Sequence, residues 1–141
     1  MSGDDHDPPV IRIAAALIED DSGRLLLVRK AGTSVFMQAG GKIEPGEAPF
    51  AALRRELAEE LGLAVEPAAA LYLGRFTAPA ANEPGHLVEA ELFHLRSNDA
   101  GALAAEIAET IWADRIEAAK MELAPLTRDH VLMIAVPDVR C

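Results

Sequence analysis

Residues Pro49–Leu61 carry a helical pattern in which carboxylates gather at the C-terminal end. Apolar side chains recur there at i, i+3 and i+4 spacing, which predicts an amphipathic helix; they are Phe50, Leu53, Leu57 and Leu61. Pro49 suits the first turn of a helix, and Gly62 is a natural C-terminal stop. The chain must therefore fold so that another element covers the apolar face of this helix.

The same helix carries an acidic stripe, since Glu56, Glu59 and Glu60 lie on one side of it, away from the apolar face. Like charges at these spacings cost about 0.2–0.5 kcal/mol per pair. The helix dipole also disfavours anions near the C-terminus. A solvated acidic face is one interpretation of the stripe. A bound divalent cation is the other, because clustered carboxylates suit magnesium, which also uses substrate phosphates and water.

A glycine-rich loop, residues 40–47, immediately precedes the helix. A double glycine alone predicts only a turn. Together with the helix, however, the loop brings backbone groups and Lys42 next to the acidic stripe. Arg55 is an ordinary surface arginine in one interpretation, and in the other it pairs with Glu47 and holds the loop against the helix.

Residues 41–63 resemble the complete Nudix box, G-x5-E-x7-R-E-U-x-E-E-x-G-U, in which U is a bulky aliphatic residue. All nine specified positions agree, namely Gly41, Glu47, Arg55, Glu56, Leu57, Glu59, Glu60, Gly62 and Leu63. With average residue usage, a chance match in such a chain is on the order of 10⁻⁸. Ala39 is a small departure, because the family often has proline before the double glycine.

The resemblance implies both a fold and a reaction. Nudix hydrolases are α/β proteins, built as an α/β/α sandwich with a mixed β-sheet. They cleave a nucleoside diphosphate linked to a group X by attack of water on phosphorus, with Mg²⁺ or alternatively Mn²⁺. The implied metal ligands are Glu56, Glu59, Glu60 and the carbonyl of Gly40. Glu47 and Arg55 would organise the loop and the helix for catalysis.

Two candidates for the general base follow from the resemblance, because family members place it differently. One is Glu59, within the box, and the other is Glu106, on a later loop that precedes a predicted strand. Glu109 is better explained by pairing on that strand.

The resemblance also implies residues that bind the substrate. Arg29 and Lys30 end the strand before the box, and Arg29 is the first choice for reaching the terminal phosphate. Gly41 and Lys42, in the box loop, are the other expected contacts with substrate.

The expected products are a nucleoside monophosphate and pyrophosphate or a phosphorylated X. The compact length resembles members that act on nucleoside triphosphates, including oxidised ones such as 8-oxo-dGTP. Pro79, sixteen residues past the box, is reminiscent of ADP-ribose pyrophosphatases, so an ADP-ribose or nucleotide-sugar pyrophosphatase is the alternative. A sensor that binds nucleotides without hydrolysis is a third reading, although such modules typically have degraded boxes.

Apolar runs separated by turn residues predict the remaining elements. Residues 10–18 and 25–28 flank an Asp-Asp-Ser-Gly segment and predict a β-hairpin. Further extended segments are predicted at 34–38, 71–77, 87–96 and around 109–112, and helices near 114–120 and 127–136. Thr127 is the predicted N-cap of the last helix.

Charge limits the partners that this chain can have. Thirteen Lys and Arg residues oppose 23 Asp and Glu residues, for a net charge of −10. A nucleic-acid polymer requires a basic footprint, and none is visible, so a small nucleotide is the expected partner. No apolar run approaches the roughly 18 residues of a membrane span. The first residues, MSGDDHDPP, are unlike a signal peptide, so a cytoplasmic location is expected.

The length of 141 residues favours one domain. Residues 1–9 are expected to form a flexible N-terminal tail, and residues 10–141 a single Nudix hydrolase domain, as a monomer or a homodimer. The single cysteine, Cys141, allows no intrachain disulfide.

Overall fold

The computed structural model describes residues 8–102 and 104–134. Within them, strands are β1 (Val10–Glu19), β2 (Leu25–Lys30), β3 (Phe36–Met37), β4 (Ala39–Lys42), β5 (Leu71–Pro79), β6 (Leu87–Arg96) and β7 (Ile107–Ala113). Helices are α1 (Pro49–Leu61), α2 (Arg115–Ala118) and α3 (Pro125–Asp129), with 3-10 turns at Pro67–Ala69 and Val131–Met133. The predicted tail lies outside the described residues except for Pro8 and Pro9, and Cys141 lies outside them too.

The strands form one mixed sheet in the order β3-β2-β1-β6-β5. Parallel pairing joins β1 to β6 along their whole length, from Val10 opposite Leu87 to Glu19 opposite Arg96. The other pairings are antiparallel: β4 adds to β1, and β7 adds to β2. The central strand β1 thus touches both the box loop and the rest of the sheet.

Side chains of β1 alternate between the two faces of the sheet. On one face Ala14, Ala16 and Ile18 belong to a core that includes residues of α1. On the other face Ala15 and Leu17 pack in a core that includes residues of α3 and the final 3-10 turn. Helices therefore cover both faces, and the expected α/β/α sandwich with a mixed sheet is confirmed.

Helix α1 has the bounds that its sequence predicts. Pro49 occupies the first turn, and Gly62 ends the helix in the left-handed conformation at φ 66°, with its N–H donating to the Ala58 carbonyl. The β1–β2 hairpin is also confirmed. Its turn is held by the Asp20 carboxylate, which accepts from the N–H groups of Ser22 and Arg24.

The prediction of a loop at the double glycine is wrong, because Gly40 and Gly41 lie inside strand β4. Their pairing with Ala15 and Ala14 brings the two backbones together. At Gly40, φ is +151°, and a Cβ would lie 2.2 Å from the Ala14 carbonyl oxygen. Only glycine permits this approach, so the feature that suggested a turn instead lets a strand fit.

The last predicted helix is wrong in its start. Helix α3 begins at Pro125, which takes the first helical position, and Ala124 precedes it as the N-cap. Thr127 is fully buried, and its hydroxyl donates to Gln38 Oε1 at 2.6 Å instead of capping the helix. The chain leaves α-helical geometry after Asp129, and residues 135 and 136 of the predicted helix lie outside the described residues.

Replacing Thr127 by Val is expected to lower the free energy of unfolding by about 1–3 kcal/mol, because Gln38 Oε1 would lose its partner inside the protein. Urea unfolding measures the change. Thr127→Ser keeps the hydroxyl and serves as the control. A loss for Ser as large as that for Val would mean that the methyl contacts, not the hydrogen bond, matter.

The helix predicted near 114–120 is confirmed as a shorter one. Asp114 and Glu117 form a capping box, in which each side chain accepts from the other residue's backbone N–H. No helix in the described part of the chain is long and apolar enough to cross a membrane.

Candidate active site

The three glutamates of the acidic stripe lie in different environments. The Glu59 side chain is 54% exposed, that of Glu56 is 20% exposed, and Glu60 is only 4% exposed. Glu60 is buried because its carboxylate lies against strand β4, where it contacts Gly40. A solvated acidic face therefore describes Glu59 but not Glu60.

Glu60 is a buried carboxylate without an ion pair to any described basic side chain. Its Oε1 accepts from the Gly40 N–H at 3.0 Å. Burial, together with the charges of Glu56 and Glu106, raises the pKa of Glu60 to about 7, against the Gly40 hydrogen bond and the charge of Lys30. A buried carboxylate among like charges favours the approach of a cation.

Arg55 connects the box loop to the acidic stripe, and the expected pairing with Glu47 is present. Its Nε and Nη2 donate to the two Glu47 carboxylate oxygens at 2.9 Å each. Nη2 also donates to the Lys42 carbonyl at 3.0 Å. Hydrogen bonds from Arg55 and from the Glu44 N–H lower the pKa of Glu47 to about 2, so this clamp stays charged at neutral pH.

The remaining nitrogen of Arg55 contacts two glutamates of the stripe. Nη1 donates to Glu56 Oε2 at 2.6 Å and to Glu59 Oε1 at 3.0 Å. Since one guanidinium thus holds both the loop and the helix, the position of the stripe is tied to the position of Lys42 and Glu47.

The second glycine of the box supports the Glu56 carboxylate. A Cβ at Gly41 would lie 2.3 Å from both Cδ and Oε1 of Glu56. Only a bare backbone allows the carboxylate to rest there. In strand β4, therefore, the Gly40 N–H donates a hydrogen bond to Glu60, and the absence of a side chain at Gly41 leaves room for the Glu56 carboxylate.

The donor set of this site suits a hard divalent cation, since three carboxylates and the β4 backbone supply only oxygen ligands. Of the expected ligands, Glu60 contacts Gly40, and Glu56 and Glu59 share Arg55. In the described residues, however, no three acidic, His or Cys side chains converge at metal-ligand spacing. Glu56 and Glu59 are turned towards Arg55, so a cation would have to compete with that contact.

Glu106 lies within electrostatic range of Glu60. Its loop is fixed to the end of β2, because the Glu106 carbonyl accepts from the Ala31 N–H at 2.8 Å. Glu109, by contrast, pairs on the sheet with Arg29, at 3.1 Å, as expected for a strand pair. Arg29 also donates from Nη1 to the Thr33 carbonyl at 2.8 Å, so these two contacts hold its guanidinium at the end of β2.

A cavity of about 130 Å³ opens beside strand β4. Gly41 and Lys42, both expected to contact substrate, line it together with Lys30. Sequence reasoning missed Gln38 and Asn82 in its wall. Gln38 could have been found as the one polar side chain in the apolar stretch before the double glycine. Asn82 lies in a loop where the sequence gives no comparable signal.

Comparison with known proteins shows which family this chain resembles. The NUDIX domain family model matches residues 9–133. The CTP pyrophosphohydrolase of Escherichia coli strain K12 is 32% identical over 121 residues, which span 82% of this chain and 84% of that protein. The 8-oxo-dGTP diphosphatase of Haemophilus influenzae is 38% identical over 61 residues, 40% of this chain and 45% of the other.

A solved structure has the same fold. The MutT protein of Methanosarcina mazei Go1 superimposes with a TM-score of 0.73 at 26% identity, covering 87% of this chain and 91% of that one. The resemblance carried by residues 41–63 is thus confirmed over nearly the whole chain.

Proposed function

The chain belongs to the NUDIX family of hydrolases that act on phosphorus anhydrides, and on this basis we propose that it is a Mg²⁺-dependent nucleoside triphosphate pyrophosphohydrolase. The products would be a nucleoside monophosphate and pyrophosphate. Support for a triphosphate substrate comes from similarity to a CTP pyrophosphohydrolase and to an 8-oxo-dGTP diphosphatase.

The observation that carries this proposal is the buried Glu60 carboxylate, which receives a hydrogen bond from Gly40 while Glu56 and Glu106 add negative charge nearby. Such an arrangement is unfavourable for an empty helix end. It becomes favourable when a divalent cation and the phosphates of a substrate share the site.

In this proposal the ligands of Mg²⁺ are Glu56, Glu59, Glu60 and the Gly40 carbonyl. The bound ion would neutralise charge on the diphosphate and make water attack possible near neutral pH. The Arg55–Glu47 pair holds the segment between β4 and α1 against the helix. The carboxylates and the phosphate-binding groups would thereby keep their relative positions.

The chain's own residues would bind the substrate and move the proton. Lys30 and Lys42 face the cavity and would contact the phosphates, with Arg29 as a further contact once it leaves Glu109. Glu59, exposed on α1, and Glu106, on the loop beside Glu60, are the two groups that can take the proton of the attacking water. Gln variants of each, compared by the pH profile of kcat at saturating Mg²⁺, would identify the base, because a lost ligand lowers kcat without removing the ionisation of the base.

We expect hydrolysis of at least one nucleoside triphosphate in Mg²⁺ and none after chelation with EDTA. The assay is a panel of ordinary and 8-oxo nucleoside triphosphates, ADP-ribose, nucleotide sugars and dinucleoside polyphosphates, with products separated by chromatography. Re-addition of Mg²⁺ after chelation is the control, and Mn²⁺ tests the alternative ion. Cleavage of ADP-ribose alone would contradict the triphosphate assignment, and tight binding without any turnover would indicate a sensor.

A further inference from the structure

The loop between β6 and β7, which carries Glu106, is fastened to the C-terminal end of α1. The Ala102 N–H donates to the Leu61 carbonyl at 2.8 Å, and the Ala104 N–H donates to the Glu60 carbonyl at 2.9 Å. Carbonyls in the last turn of a helix have no partner within the helix, so the loop supplies partners that α1 lacks. The peptide group of Glu60, whose carboxylate lies in the site, thus holds the loop.

Gly101 makes this close contact possible. Its φ is +72°, and a Cβ there would lie 2.0 Å from the Leu61 carbonyl oxygen and 3.0 Å from the carbonyl carbon. The clash would be with backbone, so no rotation of a side chain could relieve it. The Asp99 carboxylate accepts from the Gly101 N–H at 2.7 Å and supports this conformation. The loop can therefore dock on α1 only with a glycine at this position.

The position of Glu106 depends on the backbone that carries it. Glu106 is the third residue of a turn closed by a hydrogen bond of 3.0 Å from the Ile107 N–H to the Ala104 carbonyl. The first residue of this turn is thus the one that donates to Glu60. Within the described residues, the Glu106 carboxylate has no hydrogen bond or ion pair that would fix it independently. A shift of the docked loop would consequently move Glu106.

We propose that Gly101 is a positioning residue for the hydrolysis, because the docking that it permits fixes Glu106 beside the Glu60 carboxylate. The inference rests on the proposed function, in which Glu106 is one of the two groups that can take the proton of the attacking water. Gly101 acts through Glu106 and does not itself contact the substrate. Misplacement of a reacting group by ~1 Å can cost about a hundredfold in rate, so loss of the docking should slow turnover.

Gly101→Ala tests this role with the nucleoside triphosphate that the panel above shows to be cleaved fastest. We expect kcat to fall by about tenfold to a hundredfold and KM to stay within about twofold, because Glu106 does not hold the nucleotide. Gly85→Ala is the matched control, since Gly85 has a φ of +79° and nothing within 4 Å of an added Cβ. It should keep kcat within about twofold of wild type, because it brings a positive φ without a clash.

A double-mutant cycle with Glu106→Gln shows whether Gly101 acts through Glu106. In the Glu106→Gln background, Gly101→Ala should lower kcat by less than about twofold, because the carboxylate that it would displace is already absent. A purely structural role would lower kcat by the same factor in both backgrounds.

Amide hydrogen exchange reports on the docking without any turnover. In the metal-free wild type, the Ala102 and Ala104 amides should be protected, because both donate to α1. In Gly101→Ala both should exchange at least about tenfold faster, while amides of the β1–β6 pairing keep their protection.

A second variant keeps the test valid if Gly101→Ala does not fold. Asp99→Ala removes the acceptor of the Gly101 N–H without adding a clash, so it should also lower kcat, and only while Glu106 is present. Asp99→Asn keeps an oxygen for that N–H and should restore the kcat of wild type.

The outcomes separate this inference from the proposed function. Full activity in Glu106→Gln, equal effects of Gly101→Ala in the two backgrounds, or unchanged exchange of the two amides would each overturn the role of Gly101, while hydrolysis of nucleotides still stands. A wild type that hydrolyses no nucleotide in Mg²⁺ would overturn both.

Discussion

Glu60→Gln is expected to abolish most turnover and, in the metal-free protein, to raise stability above pH 7. The loss of turnover follows from the proposed metal site. A bound cation supplies several kcal/mol of charge stabilisation in such reactions, so a variant that weakens its site should lose at least about a hundredfold in kcat/KM. Glu56→Gln should lose a similar amount of activity, because its carboxylate rests on the same strand.

The gain in stability follows from burial. The folded-state pKa of Glu60 is raised from 4.5 to about 7, so the folded protein binds this proton more tightly than the unfolded chain does. Stability from this group is therefore complete below pH 4.5 and is lost as the pH rises towards 7. Gln keeps an oxygen for the Gly40 N–H and carries no charge, so the variant should gain about 1–3 kcal/mol over wild type at pH 8.

The measurement is urea unfolding in EDTA at pH 4.5 and pH 8, with kcat/KM measured separately in Mg²⁺. Glu66→Gln is the matched control, because Glu66 is exposed and outside the acidic stripe. Mg²⁺ should raise the stability of wild type and not that of Glu60→Gln, since only a protein with an intact site gains from the ion. Full activity in Glu60→Gln would refute the metal site.

Local sequence signals predicted the elements that depend only on local structure. Pro49 and Gly62 mark the two ends of α1 by local effects. Proline lacks an N–H and suits the first turn of a helix, and glycine readily adopts the left-handed conformation that ends one. Charge spacing predicted the Arg55–Glu47 pair for a related reason, since only Ala48 and the first turns of α1 separate the two residues. Helix α1 and the Arg55–Glu47 pair could therefore be predicted from residues 41–63.

Features that depend on distant residues were not readable. Thr127 has the chemistry of an N-cap, and its use as a partner of Gln38 is decided by contact with a residue between β3 and β4, 89 positions away in sequence. The double glycine has the chemistry of a turn, and its place in a strand is decided by the backbone of β1. Burial of Glu60 depends on its contact with β4, so the raised pKa of Glu60 could not be predicted from the sequence either.

Alanine substitutions at the two neighbouring glycines should have different consequences. Gly40→Ala should lower the stability of the fold, whereas Gly41→Ala should lower activity. A Cβ at Gly40 would meet backbone atoms, 2.2 Å from the Ala14 oxygen and 2.6 Å from the Ala15 Cα, at a φ that L-residues avoid. Backbone strain and overpacking together should cost about 3–5 kcal/mol, a large part of the ~5–15 kcal/mol that stabilises a domain.

Gly41→Ala should keep the fold, because its φ is not left-handed and the atoms that its Cβ would meet are the flexible end of Glu56. The carboxylate would swing away from β4, and turnover should fall by about a hundredfold, as for Glu56→Gln.

Urea unfolding and kcat/KM of both variants give the comparison. Gly32→Ala is the control for Gly40, because it has a positive φ of 81° but nothing within 4 Å, so it gives the cost of a positive φ without steric contact. Equal destabilisation by Gly32→Ala and Gly40→Ala would show that contact with β1 is unimportant. Full activity in Gly41→Ala would mean that Glu56 functions in a different position, and that the bare backbone of β4 is required for the strand pairing alone.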